Sequence, residues 1–233
     1  ETIPPVRPCE SIGPYTVGQS VFQVQSSFNY NQVEAGIDFS TKTLLHNTVI
    51  RYGILEKLEL SAVVNWQTDE NITIAGSDRN TGISNTQIGF RYNFRANEGA
   101  KPPIGFQGRI LLKAQSEIYQ RENLGATFIL ITGNKLSDRF SLISNWALTW
   151  SGNGASGRLF YALNLSYSLS EKWGTFLEMY GDLNNFNANV DTGLSFLVSE
   201  DVMLDASTGW QGDNNLNDWF VDLGISFRFH NRD

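Results

Sequence analysis

Asp218-Trp219-Phe220-Val221-Asp222-Leu223-Gly224-Ile225-Ser226-Phe227-Arg228-Phe229 has two unlike faces when it is laid out as a strand. Side chains alternate across a strand, so one face carries Trp219, Val221, Leu223, Ile225, Phe227 and Phe229. The other carries Asp218, Phe220, Asp222, Gly224, Ser226 and Arg228. A water-soluble sandwich would turn the apolar face into a shared core, and a few such strands would fill it. Here the pattern recurs about twelve times, and charges keep returning to the opposite face. The pattern predicts an all-β fold, a transmembrane antiparallel up-and-down barrel of about 12 strands with lipid outside and a polar interior. A soluble β-sandwich is the alternative at the level of fold.

Composition narrows the classes. Hydrophobic residues make up 41% of the chain and mean hydropathy is −0.24, and no run nears the roughly 18 apolar residues of a membrane helix. Hydropathy is uninformative for barrels, whose segments of about ten residues alternate. A net charge of −7 argues against a nucleic-acid partner, which needs clustered Lys and Arg. Cys9 is the single cysteine, so no internal disulfide framework exists and an unpaired thiol is expected. No charged leader with an apolar core opens the sequence, and the reading is of a mature form whose export signal has been removed.

Residues 1–19 include Pro4, Pro5, Pro8 and Pro14 without alternation, and are expected to form a periplasmic tail or cap. Residues 20–229 are expected to form the barrel and 230–233 a short tail. Strands are predicted at about Val21–Tyr30, Leu44–Ile54, Leu58–Gln67, Asn85–Phe94, Ile104–Ala114, Gly125–Thr132, Phe140–Trp150, Leu159–Leu169, Trp173–Asp182, Thr192–Val198, Val202–Trp210 and Asp218–Phe229. Thr68 to Ile83 reads as a long loop, as does Gly212 to Asp218. Four short, similar turns fall on one side: Leu55-Glu56-Lys57-Leu58, Leu136-Ser137-Asp138-Arg139, Leu169-Ser170-Glu171-Lys172 and Val198-Ser199-Glu200-Asp201. The longer connections fall on the other, as outer-membrane barrels require, with Arg95 to Lys101 breaking the rule. An aromatic girdle is expected near each interface: Tyr30, Trp66, Trp150, Tyr161, Trp210 and Trp219 on the external side, and Tyr52, Tyr92, Tyr167, Trp173 and Phe229 on the periplasmic side.

Leu223, Ile225, Phe227 and Phe229 resemble the C-terminal assembly signal of bacterial outer-membrane barrels. A wider resemblance rests on Ile50-Arg51-Tyr52-Gly53-Ile54 with Leu58-Glu59-Leu60, on Gly82 to Tyr92, and on Phe176-Leu177-Glu178. Thr192 to Phe196, Met203-Leu204-Asp205 and Asp222 to Phe229 continue it. In these residues the chain resembles the outer-membrane family of the MetA pathway of phenol degradation, often labelled simply a transporter. A Pro-Thr-Gly pattern common in such proteins is replaced here by Lys113-Ala114-Gln115. The resemblance implies a barrel in the bacterial outer membrane that passes small, including aromatic, solutes.

The candidate site is the set of charges on the predicted interior. Arg51, Arg91, Arg109 and Lys113 come from one part of the wall, and Glu178, Asp205 and Asp222 from the opposite part, with Glu59 and Arg228 beside them. Such walls would set a transverse field that orients dipolar solutes and selects by charge. The other reading is an interior closed by salt bridges, with Arg51 and Glu59 paired across a turn. His46 and His230 supply no triad, so no catalytic residues are expected. No metal-ligand spacing or cofactor fingerprint is present. Gly53, Gly89, Gly193 and Gly224 read as sites of strand curvature. Expected partners are membrane lipids, small solutes and other outer-membrane proteins. A plugged accessory barrel in a larger outer-membrane complex is the alternative function.

Overall fold

The computed structural model describes residues 3, 9–35, 39–95, 101–154, 156–213 and 216–230. Among them, twelve antiparallel strands follow in chain order: β1 (Val21–Ala35), β2 (Phe39–Leu55), β3 (Leu58–Thr73), β4 (Gly76–Arg95), β5 (Ile104–Leu111), β6 (Gly125–Lys135), β7 (Phe140–Trp150), β8 (Arg158–Ser168), β9 (Trp173–Asp182), β10 (Asn189–Ser199), β11 (Val202–Asp213) and β12 (Leu216–His230). Each pairs with its neighbour in sequence, and β1 closes on β12 from Val21↔His230 to Ala35↔Leu216. Closure removes the two edges an open sheet would present. One 3-10 turn, Glu117–Tyr119, lies between β5 and β6.

The distribution of exposure decides between barrel and sandwich. Leu177, Leu223 and Phe229 are 56%, 58% and 55% exposed, while Gln23, Glu178 and Ser226 are fully buried at 0%. Apolar groups outside and polar groups inside invert the order of a soluble core. An arginine at Leu177, midway along β9, is therefore expected to cost about 2–4 kcal/mol in lipid. Urea titration of vesicle-folded protein measures it; a change of less than about 0.5 kcal/mol, as for a wetted surface position, would contradict a lipid-facing wall.

Three of the four short turns share more than length. The Ser137, Ser170 and Ser199 hydroxyls each accept from the amide two residues on, at 3.3 Å from Arg139, Lys172 and Asp201. That side-chain turn explains why Ser recurs at one position of three turns.

Several sequence boundaries are corrected. Thr68 to Ile83 is not a loop: β3 and β4 continue as a ladder through Thr68↔Thr81, Asp69↔Asn80 and Glu70↔Arg79. Both faces of that ladder are wetted, so the apolar alternation that marks a strand is missing. Gly212 to Asp218 likewise belongs to the β11–β12 ladder, with Gly212↔Asn217 and Gln211↔Asp218 paired, while 214–215 lie outside the described residues. β5 ends at Leu111 rather than Ala114. His230, assigned to a tail, ends β12; residues 231–233 lie outside the described residues. Most of Arg95 to Lys101 also does.

Candidate functional site

Inward-facing positions of twelve strands converge on a narrow interior, and charge is sorted across it. Arg51, Arg91 and Arg109 project from β2, β4 and β5, and Glu178, Asp205 and Asp222 from β9, β11 and β12. Glu59, 1% exposed on β3, holds the basic side together. Its Oε1 and Oε2 accept from Arg51 Nε and Nη2, both at 2.8 Å, and Arg91 Nε lies 3.6 Å from Oε1. A planar fork facing a carboxylate is the geometry that best compensates burial of both charges.

These charges also hold a length of backbone. Residues 9–19 run across the interior near the short-turn end as irregular backbone that joins no strand. A buried backbone without a ladder must find other partners. Here the walls supply them by sign. Carboxylates take the amides: Glu178 accepts from Glu10 N at 2.6 Å and from Ser11 N at 3.0 Å, and Glu59 from Val17 N at 2.9 Å. Guanidinium groups take the carbonyls: Arg91 Nη1 donates to Gly13 O and Tyr15 O at 3.2 and 3.1 Å, and Arg51 Nη2 to Tyr15 O at 3.3 Å. Asn145 does both for Ile12, accepting at 2.7 Å and donating at 2.9 Å. The segment leaves by the β2–β3 turn, where Ser20 N donates to Gly53 O at 2.8 Å.

Glycine makes room for this path. A Cβ on Gly53 would stand 1.7 Å from Gly18 O, and one on Gly105 would stand 2.9 Å from Pro14 O. Gly53, expected to ease strand curvature, thus serves the approach of the crossing segment. Gly89 and Gly224 instead lie under the side chains of Arg109 and Asp205.

The crossing segment has cavities on both sides. On the long-loop side a chamber of about 350 Å³ is lined by Arg51, Arg91, Arg109, Asp222 and Phe220, with Cys9, Glu10 and Ile12 along its floor. On the short-turn side lie a cavity of about 170 Å³, between Gly13, Tyr15, Ser166 and Phe176, and one of about 260 Å³, between Pro14, Tyr15 and Arg139. Cys9 borders the chamber and the smaller of these two. Its Sγ lies 3.3 Å from Ser11 O, and burial, reinforced by the Glu178 carboxylate, pushes the thiol well above its usual range.

Not every predicted charge reaches the chamber. Lys113 stands beyond the end of β5, exposed, with Nζ 2.7 Å from Glu122 O, because the strand that would have aimed it inward stops at Leu111. Arg228 lies at the short-turn end, its Nε 3.2 Å from Asp201 Oδ1, which His230 Nε2 approaches at 2.9 Å. Asp205 is buried behind Gly224. Sequence reasoning missed Asp191, 2% exposed and opposite Glu178 across β9–β10, because it began that strand at Thr192 instead of Asn189. It also passed over Asn145, Asn164 and Gln107, which alternation placed inward but which carry no charge. His46 faces outward, stacked on Phe28 at 4.6 Å and 2.8 Å from Ser26 Oγ.

The aromatic positions lie on the outer face. Tyr30 meets Trp219 at 5.6 Å toward the long-loop end, where Trp210 and Trp219 are also paired in register. Phe22 and Phe229 at 6.2 Å, Phe140 and Tyr167 at 4.6 Å, and Trp173 and Phe196 at 4.6 Å lie toward the other. Tyr52, Trp66 and Tyr92 are 45%, 50% and 37% exposed, which leaves their rings for a surrounding phase rather than for a core. Trp150 and Tyr161 complete the row near the long loops.

Comparison with known proteins agrees with this architecture. The family model described as "Putative MetA-pathway of phenol degradation" matches residues 7–229. No curated protein matches the chain in sequence. Among solved structures the barrel is similar to the COG4313 outer membrane channel from Pseudomonas putida F1, with a TM-score of 0.78 and 10% identity over 96% of this chain and 100% of that one. It is also similar to the KdgM porin (0.58, 13% identity, 88% and 99% covered). The Ralstonia pickettii toluene transporter TbuX gives 0.53 at 9% identity, with 94% and 92% covered. At these identities the likeness is one of fold.

Proposed function

The chain belongs to the family described as "Putative MetA-pathway of phenol degradation", and from that membership we propose that it is an outer-membrane channel for small solutes, aromatic compounds among them. The observation that carries the reading is the chamber of about 350 Å³ lined by Arg51, Arg91 and Arg109 on one side and by Asp222 and Phe220 of β12. A closed barrel with a purely structural interior would fill that space with side chains. The named activities of similar barrels, channel, porin and toluene transporter, support transport over catalysis. The exposed leucines and the outer aromatics support residence in a bilayer.

In this reading residues 9–19 are a plug on the periplasmic side, and the sorted charges have two tasks: holding the plug and meeting the solute. Purified protein in a planar bilayer is expected to give discrete current steps and to let phenol into liposomes. Absence of both, in the native chain and in a variant with the plug released, would overturn the proposal. A second reading is favoured by the same crossing segment: a plugged barrel that serves as a subunit of a larger outer-membrane assembly. Stable partners retained through isolation in mild detergent, with no current, would support it.

A further inference from the structure

The basic wall of the chamber is not balanced. Glu59 is shared by Arg51 and Arg91, whereas Arg109 has, among the described residues, no carboxylate within 4.0 Å. Its one side-chain hydrogen bond to the protein is a long donation from Nη1 to Gln87 Oε1 at 3.4 Å, and its buried Nε has no partner there. Two residues back on the same face of β5, Gln107 is 1% exposed. Its Oε1 accepts from Arg91 Nε and Nη2 at 3.1 and 2.8 Å, which leaves buried Nε2 without an acceptor. Two residues of the same chamber lining, one cationic and one neutral, thus each carry a buried donor without a protein partner. A buried donor left unmet costs about 1–3 kcal/mol, more when charged, so the pair favours an acceptor that carries charge.

Val63 and Phe220, 4% and 6% exposed, give the same chamber an apolar side. Glu10 and Asp222 also border it, and they disfavour a second negative charge on whatever enters. We propose that this chamber binds a small monocarboxylate with an apolar body, its two oxygens accepting from Arg109 and from Gln107 Nε2. A carboxylate has an oxygen for each of the two donors, and the hydrogen bond from the guanidinium is charge-assisted. The proposal rests on the reading that solutes enter the lumen, and it names the class that is held there.

The test compares benzoate with benzamide, its neutral isostere, by calorimetry on the full chain folded in detergent. Benzoate is expected to bind at least about tenfold more tightly, as a charge-assisted hydrogen bond implies. Arg109→Gln should abolish the preference and Arg109→Lys should retain most of it. If the Gln variant does not migrate as a folded barrel, Arg109→Met provides the same comparison with an uncharged side chain. Equal binding of the two probes, or an undiminished preference in both uncharged variants, overturns the site. Transport is read separately: benzoate preference with neither current nor phenol entry, in the native chain and in the plug-released variant, upholds the site and sinks the channel, while current without preference does the reverse.

Discussion

Replacing Glu59 with alanine should cost the folded barrel about 3–5 kcal/mol, the penalty for removing one partner of a buried ion pair. Arg51 and Arg91 are 2% and 3% exposed, so losing Glu59 leaves two guanidinium groups facing each other with no carboxylate between them. The Val17 amide loses its acceptor in the same change. A double change, Arg51→Met with Glu59→Leu, should cost less than Glu59→Ala, because it removes charge from both sides of the pair. Urea midpoints in a fixed lipid, with unchanged slopes, measure both. A loss below about 1 kcal/mol for Glu59→Ala, the range of exposed pairs, would show that water reaches this cluster.

The second large effect concerns the plug. Changing Glu178 and Asn145 together to alanine removes the wall carboxylate and the wall amide that bind the backbone of Glu10, Ser11 and Ile12. Conductance of that variant is expected to rise severalfold over the native chain, since the path then lacks the strand of backbone that crosses it. Cys9 gives an independent reading. Burial and the Glu178 carboxylate both hold its thiol protonated, and only the thiolate is alkylated. Freed of both, Cys9 should react with iodoacetamide at pH 8 at least about tenfold faster. Unchanged current together with unchanged alkylation would mean that the remaining contacts, from Arg51, Arg91 and Glu59, suffice to keep the segment in place.

What was legible in the sequence follows from which rule each part obeys. Wherever a wall had lipid on one side and water or protein on the other, alternation was enough, and the bounds of β7 and β9 match the strands read from the chain. Outside the apolar band that constraint disappears, so the paired stretch from Asp69 to Asn80 read as loop. The inward positions of Arg51, Arg91 and Glu178 follow from parity along a strand. Their partners do not, because parity says which way a side chain points and nothing about what meets it. Hydrogen bonds to backbone amides and carbonyls of 10–17 leave no trace in residue type, since every residue offers the same groups. Proline gave the one available signal: Pro14 lies in a segment that pairs with no strand and against the wall at Gly105 and Gly133.

The crossing segment imposes an order on assembly. It precedes β1, yet the groups that bind it sit on β2, β3, β4, β7 and β9, elements that come together only as the sheet curls. Contacts of such long sequence separation are late to form. Docking therefore rewards only a wall in which β2 to β9 are already in register, and a chain stalled before β9 joins gains little from it. In the proposed channel, the segment that narrows the lumen is thus expected to dock after the wall that it crosses has formed.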